Sequence, residues 1–143
     1  MKILVSACLL GVSCRYDGCG REHPDVERLA EKYELIPVCP EPLGGLPTPR
    51  EPAERRGDRV VSRSGIDVTD KYRRGAKEAL RLAKLLGCTA AVLKERSPSC
   101  GRGEIYDGTF TRTLTGGSGV AAELLEANGI RVLTAAEAVR ELL

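Results

Sequence analysis

The sequence is poor in the residue types on which several common functions rest. Tryptophan and glutamine are absent, Phe110 is the only phenylalanine, and aromatic residues make up 3% of the chain. A row of aromatic base-stacking platforms is therefore not expected. His23 is the only histidine and Asn128 the only asparagine. One histidine makes a zinc hydrolase or a Cys–His nucleophile hard to build. The shortage of thermolabile amides beside many Arg and Glu fits a thermophilic source, and a GC-rich genome would leave the same mark. No apolar run approaches the roughly 18 residues that would span a bilayer. The N-terminus shows no charged, apolar and cleavage regions of a secretory signal. Lys and Arg number 22 against 20 Asp and Glu, a net charge of +2. Such a balance makes no strong electrostatic claim on nucleic acid or on a membrane surface.

Cysteine is plentiful by contrast, with six in 143 residues. That length suits one domain, residues 1–143, with a single real core. Cytoplasmic thiols stay reduced, so a dense cysteine set there reads as metal binding or catalysis before disulfides. Cys88, at the join between a helix and an apolar strand, reads as an inert packing group. Oligomeric state is left open.

The apolar pattern places strands at Lys2–Ser6, Leu35–Val38, Ala90–Lys94 and Ile130–Leu133. Helices are expected at Pro24–Lys32, Asp70–Leu86, Val120–Ala127 and Ala135–Leu143. The longest has Ala76, Ala79, Leu80, Ala83 and Leu86 on one face, a cap at Asp70 or Thr69, and Gly87 as its stop. The segment from Cys39 to Glu54 carries Pro40, Pro42, Pro47, Pro49 and Pro52, just after Pro37. It is expected to be a stiff loop, neither helix nor central strand. Asp58–Thr69 holds two short β-like pieces around Ser64-Gly65, a hairpin or a pair of edge strands. Residues 96–119 read as a long loop with a short β piece at Ile105-Tyr106. Strands alternating with helices imply an α/β fold, Rossmann-like or flavodoxin-like, with a mostly parallel sheet of about four to five strands and helices on both faces.

In that topology Cys8, Cys39 and Cys100 each follow a different strand. Open parallel sheets bind ligands at the C-terminal edge of their strands, so three distant cysteines meet there. Thiolates select zinc, Cu(I) or iron–sulfur clusters. Structural zinc sites favour four ligands in close C-x-x-C pairs, and the chain has no such pair. Thiols on three separate loops fit a cubane, leaving one iron open as a Lewis acid. Glu41, two residues from Cys39 in a proline-clamped loop, is a candidate acid or base. Ser97 and Ser99 precede Cys100 as candidate positioning hydroxyls.

Several short motifs then coincide in order. They are Ser6-Ala7-Cys8-Leu9-Leu10-Gly11, Cys14-Arg15-Tyr16-Asp17-Gly18, Pro37-Val38-Cys39-Pro40-Glu41 continuing to Gly44-Gly45-Leu46 and Pro49-Arg50, then Leu93-Lys94, Ser97-Pro98-Ser99-Cys100-Gly101 and Ile105-Tyr106-Asp107-Gly108-Thr109-Phe110. Together they resemble the thiouracil desulfurase family across roughly residues 3–135. The resemblance implies a [4Fe-4S] cluster held by Cys8, Cys39 and Cys100, with Cys14 as a fourth or neighbouring thiol. It implies a small thiopyrimidine substrate, sulfur removal without net redox change, Glu41 as proton shuttle, and Ser97 or Ser99 placing the substrate. A cluster carrier or sensor would use the same cysteines without turnover. A thiol enzyme would use Cys14 or Cys39 directly.

Two further patterns stand in the sequence. Arg50, Arg55, Arg56, Arg59 and Arg63 read as a solvated face among interleaved carboxylates, with a phosphate contact as the sharper alternative. Gly116-Gly117-Ser118-Gly119, opening a helix, could take an anion on free N–H groups.

Overall fold

A computed structural model describes residues 1–20 and 22–143. Four parallel strands form its centre: β1 (Lys2–Ser6), β2 (Glu34–Val38), β5 (Ala90–Val92) and β8 (Arg131–Leu133), in the order β2-β1-β5-β8. Ile3, Leu4 and Val5 of β1 are fully buried in succession, as a strand covered on both faces requires. Alternation sends them to opposite layers. Ile3 and Val5 pack with Val26, Leu29, Leu133 and Ala138, while Leu4 packs with Ala79, Ala83, Ala91 and Leu125.

Helices α1 (Pro24–Glu27), extended by a 3-10 turn through Glu31, and α5 (Ala135–Leu142) cover the first face. Helices α3 (Thr69–Leu86) and α4 (Val120–Ala127) cover the second. The inward face of α3 is Tyr72, Gly75, Ala76, Ala79 and Ala83, mostly small residues that admit close neighbours. Gly87 ends α3 in the left-handed conformation, φ 72°. Thr134 and Glu137 form a reciprocal capping box on α5.

The segment following Cys39 departs from the expectation of loop alone. Helix α2 (Pro40–Leu43) begins in it, with Pro40 at the first helical position, where no N–H is needed. Pro37 lies inside β2, which is an edge strand, so its missing donor breaks no central ladder. The hairpin is also displaced from Ser64-Gly65. It joins β3 (Ala53–Arg56) to β4 (Arg59–Ser62) through Gly57-Asp58, and Ser64-Gly65 makes a separate tight turn closed by a Val61–Asp67 bridge. The residues of β3, Ala-Glu-Arg-Arg, alternate nothing apolar with polar and so carry no strand signal. A second hairpin, β6 (Glu104–Tyr106) with β7 (Leu114–Gly116), lies within residues 96–119. The start of α3 is capped differently too: Asp67 Oδ1 accepts the Thr69 N–H at 2.9 Å, and Thr69 Oγ1 accepts the Val60 N–H at 2.9 Å.

Helix α2 lies against α3 by backbone contact. A methyl group on Gly75 would stand 1.9 Å from the Pro40 carbonyl oxygen, and one on Gly44 would stand 1.9 Å from that of Lys71. Two glycines, each facing a carbonyl of the opposite helix, thus set the distance between these helices. Gly75→Ala is expected to lower stability by at least about 1–3 kcal/mol, the usual cost of overpacking, and chemical denaturation at fixed temperature measures it.

Candidate active site

Each candidate residue is placed by the end of a strand. Cys8 lies in the 3-10 turn Ala7–Leu10 directly after β1, closed by Gly11 at φ 88°. Cys39 follows β2 as the N-cap of α2, still in extended conformation. Cys100 sits beyond β5, after the turn Ser97-Pro98-Ser99. Its loop is pinned by α4, whose first N–H groups donate to Pro98 and Ser99: Val120 N to Pro98 O at 2.8 Å and Ala121 N to Ser99 O at 2.8 Å. Those donors are therefore spent, and the glycine-rich entry to α4 does not offer them to an anion.

Cys8, Cys39 and Cys100 all line one cavity of about 570 Å³, together with Ser6, Glu41, Ser97 and Ser99. Cys14 is buried beside it, outside the cavity wall. Its carbonyl accepts the Cys39 thiol at 3.6 Å and Arg50 Nη2 at 3.0 Å. Cys19 is exposed, and Cys88 belongs to the apolar layer around Leu4.

The thiols of the cavity resist ionisation. Burial first, then the neighbouring Cys100 and Cys14, push Cys8 up to about 12, against the pull of Lys94 and Arg15. Burial and the same kind of crowding by Cys14 and Cys100 raise Cys39 strongly. Burial raises Cys100, opposed by hydroxyls of Ser6, Ser99 and Ser97. Desolvated, mutually repelling thiols are poor nucleophiles, which disfavours a thiol enzyme acting through Cys39. A bound cationic centre reverses that penalty, because a coordinated thiol is deprotonated by the metal.

Glu41 is the polar hub of the cavity. Its Oε1 accepts from Tyr72 Oη at 2.7 Å and Arg50 Nε at 3.1 Å. Its Oε2 accepts from Ser99 Oγ at 2.8 Å. The Arg50 side chain is only 5% exposed and that of Glu41 14%. Arg50 also donates to the Pro47 carbonyl and the Thr48 hydroxyl, which fixes it from the far side. The two serines, equivalent by sequence, separate here. Ser99 is buried, and its one hydroxyl hydrogen goes to the Glu41 carboxylate at 2.8 Å rather than to the weaker acceptor Cys100 Sγ at 3.6 Å. Ser97 Oγ accepts the N–H groups of Ser99 and Cys100 at 3.1 and 3.0 Å, and lies 2.9 Å from Ser99 Oγ. With the Ser99 hydrogen already committed, Ser97 is the donor in that pair. The result is a directed chain from Ser97 through Ser99 to Glu41.

Arg50 and Tyr72 are the members that sequence reasoning missed. Arg50 reads as part of a solvated basic stretch, and that reading fails for Arg50 and Arg55, which are partly buried, while Arg56, Arg59 and Arg63 are exposed. Arg55 reaches Ser118 O and Glu123, and Arg56 reaches Gly108 O, while Arg59 meets Asp67 in the open. The one available signal for Tyr72 is its place on the inward face of α3, where a buried phenol needs an acceptor. The cavity wall is also cationic: Arg15, Arg63, Lys94, Arg96 and Arg112 line it, against Glu41, Glu54 and Glu95. Of these acids, Glu41 is paired with Arg50, and Glu54 accepts two backbone N–H groups.

The family model for 2-thiouracil desulfurase matches residues 3–137. The chain belongs to the 2-thiouracil desulfurase family. Among curated relatives, the uncharacterized protein YbbK of Bacillus subtilis (strain 168) is 44% identical, over 92% of this chain and 94% of its own. A solved structure, the [4Fe-4S]-dependent thiouracil desulfidase TudS, matches with a TM-score of 0.88 at 47% identity, covering 93% of this chain and 89% of that one. For a 2-thiouracil desulfurase, three thiols and a carboxylate around one cavity form a coherent site.

The raised thiols have a direct readout in cluster-free protein. At pH 8 a group titrating near 12 is about one part in 10⁴ thiolate, and that fraction grows tenfold per pH unit. Alkylation followed by peptide mass spectrometry should therefore modify exposed Cys19 first. Cys8 should lag it by orders of magnitude and accelerate steadily up to about pH 11.

Proposed function

We propose that the chain is an iron–sulfur-dependent desulfurase that cleaves the C–S bond of a thiolated pyrimidine with water, giving uracil and sulfide. The balance is that of hydrolysis: C=S and water become C=O and hydrogen sulfide, with no electron transferred. The observation that carries this reading is the convergence of three thiols from three strand ends on one cavity wall that also holds Glu41.

The donor set fits a cubane. Among the described residues no group of three or more His, Cys, Asp or Glu is placed to hold a single metal ion. Thiols distributed around a cavity of this size suit a wider group that takes ligands from several sides. Cys8, Cys39 and Cys100 would hold it. When bound, a [4Fe-4S] cluster with three protein ligands supplies one open, Lewis-acidic iron with affinity for a thiocarbonyl sulfur. The remaining steps belong to protein residues. Glu41, turned toward the cavity and held by Arg50 and Tyr72, takes the proton of the attacking water and returns one to the departing sulfur. Ser99, and behind it Ser97, orients Oε2 for that exchange. Cys14 supports the loop through its carbonyl bonds to Cys39 and Arg50.

The five cations on the wall favour a substrate that carries negative charge, so a thiopyrimidine nucleotide suits this cavity better than the neutral base. No described helix is long and apolar enough to cross a membrane, and all six cysteines are free. The enzyme is proposed to act in the cytoplasm, where thiols stay reduced, on a small molecule rather than on nucleic acid, with residues 1–143 as one unit.

Anaerobically reconstituted protein should bind about four irons and four sulfides per chain. Cys8→Ala, Cys39→Ala and Cys100→Ala should each lose most of that iron by chemical assay. Glu41→Gln should keep the iron and lose about 100-fold or more in kcat, the scale of a general acid–base group. Sulfide release from 2-thiouracil, measured colorimetrically, decides between this enzyme and a cluster carrier. A carrier would pass its iron to an acceptor without any release. The kcat/KM advantage of the thiouridine monophosphate over the base should shrink as ionic strength rises.

A further inference from the structure

Phe110 occupies an unusual position for the only phenylalanine of the chain. It belongs to neither apolar core layer and lines the cavity instead. Its backbone is left-handed, φ 58°, a region that residues with large side chains enter at a cost and seldom without local support. The support is visible. Glu54 Oε1 accepts the N–H of Phe110 and that of Gly108, each at 3.0 Å. Arg56 Nε donates to the Gly108 carbonyl at 2.7 Å. Gly108 itself, at φ 93°, has no room for a side chain, since a methyl group would stand 2.2 Å from Arg56 Cγ. The β3–β4 hairpin thus grips the turn between β6 and β7 and holds one ring against the cavity. The Arg63 guanidinium stands over one face of the ring, 5.9 Å from its centroid, and the ring itself lines the cavity.

We infer that Phe110 is the stacking platform that orients the substrate ring, and so selects planar, unsaturated pyrimidines over saturated rings bearing the same polar edge. The inference rests on the thiopyrimidine reading above and names the residue that recognises the ring. Aromatic stacking on a base tolerates any ring substituent and needs only a flat face. Phe110 is therefore a specificity determinant, distinct from the proton chemistry at Glu41.

The test measures calorimetric binding of uracil and of dihydrouracil, whose ring is puckered, to the cluster-loaded protein, beside KM and kcat for 2-thiouracil. Wild type should bind uracil about five- to a hundred-fold more tightly than dihydrouracil, the range that one stacked base spans. Phe110→Leu should bring the two close to parity and raise KM by a similar factor, with kcat changed less than about threefold. Phe110→Tyr should keep the preference. Phe110→Gly relieves the left-handed backbone, so it should melt no lower than wild type while losing the preference just as Phe110→Leu does. An unchanged uracil-to-dihydrouracil ratio in Phe110→Leu would overturn the inference. So would a fall in kcat at constant KM, or a wild type that binds neither ring. A wild type that binds uracil through Phe110 yet releases no sulfide would instead overturn the desulfurase reading and leave this one standing.

Discussion

The buried ion pair between Glu41 and Arg50 is the contact on which the site's geometry turns. It joins four parts of the chain. Glu41 comes from α2, its second partner Tyr72 from α3, its third, Ser99, from the loop after β5, and Arg50 reaches on to the carbonyl of Cys14. A carboxylate this deep survives only with donors on both oxygens, and removing one partner of such a pair typically costs about 3–5 kcal/mol because the other charge stays buried. The pair's worth is therefore mainly in specificity. It forces the Cys14 loop, the Cys39 helix and the Cys100 loop into one arrangement, and the cavity takes its shape from that arrangement.

The glycines of α2 and α3 make the pair possible. Tyr72 can reach Glu41 only if the two helices touch, and they touch because Gly44 and Gly75 present no side chain at the contact. One turn of helix α3 thus carries both the spacer, Gly75, and the phenol, Tyr72, three residues apart and on the same face. Packing and chemistry are set by the same few residues. This economy suits a small fold, in which one sheet edge has to supply the ligands, the acid–base group and the substrate wall.

Much of this was legible in sequence, and unevenly so for physical reasons. Strands β1, β2, β5 and β8 are buried on both faces or packed at their inner positions, so they write apolar runs that locate them within a residue or two. Once they are placed, parallel topology alone gathers Cys8, Cys39 and Cys100 at one edge. The hairpins β3–β4 and β6–β7 left half of their trace: β4 falls within the β-like pieces of Asp58–Thr69 and β6 covers the one at Ile105-Tyr106, while their partners β3 and β7 carry no apolar run. The residues of β3 are charged or small and those of β7 mostly exposed, whereas Val60 of β4 and Ile105 of β6 are buried, and the pairing of β3 with β4 is set by the turn at Gly57-Asp58. Arg50 and Tyr72 were hidden in the same way. An arginine among prolines and a tyrosine on a helix look alike whether they meet solvent or a carboxylate, and only the fold supplies the acceptor.

The scarcity of histidine and of aromatic residues acquires a meaning from the cavity. His23 is not on the cavity wall, and the proposed acid–base work falls to a carboxylate fixed by a guanidinium and two hydroxyls. One phenylalanine is enough where a single ring must be recognised, whereas single-stranded nucleic acid calls for several in register. The sequence can afford so few aromatic side chains because its core is built from Ile, Leu, Val and Ala. Phe110 is thereby free to stand at the cavity wall in a backbone conformation that the core would not require.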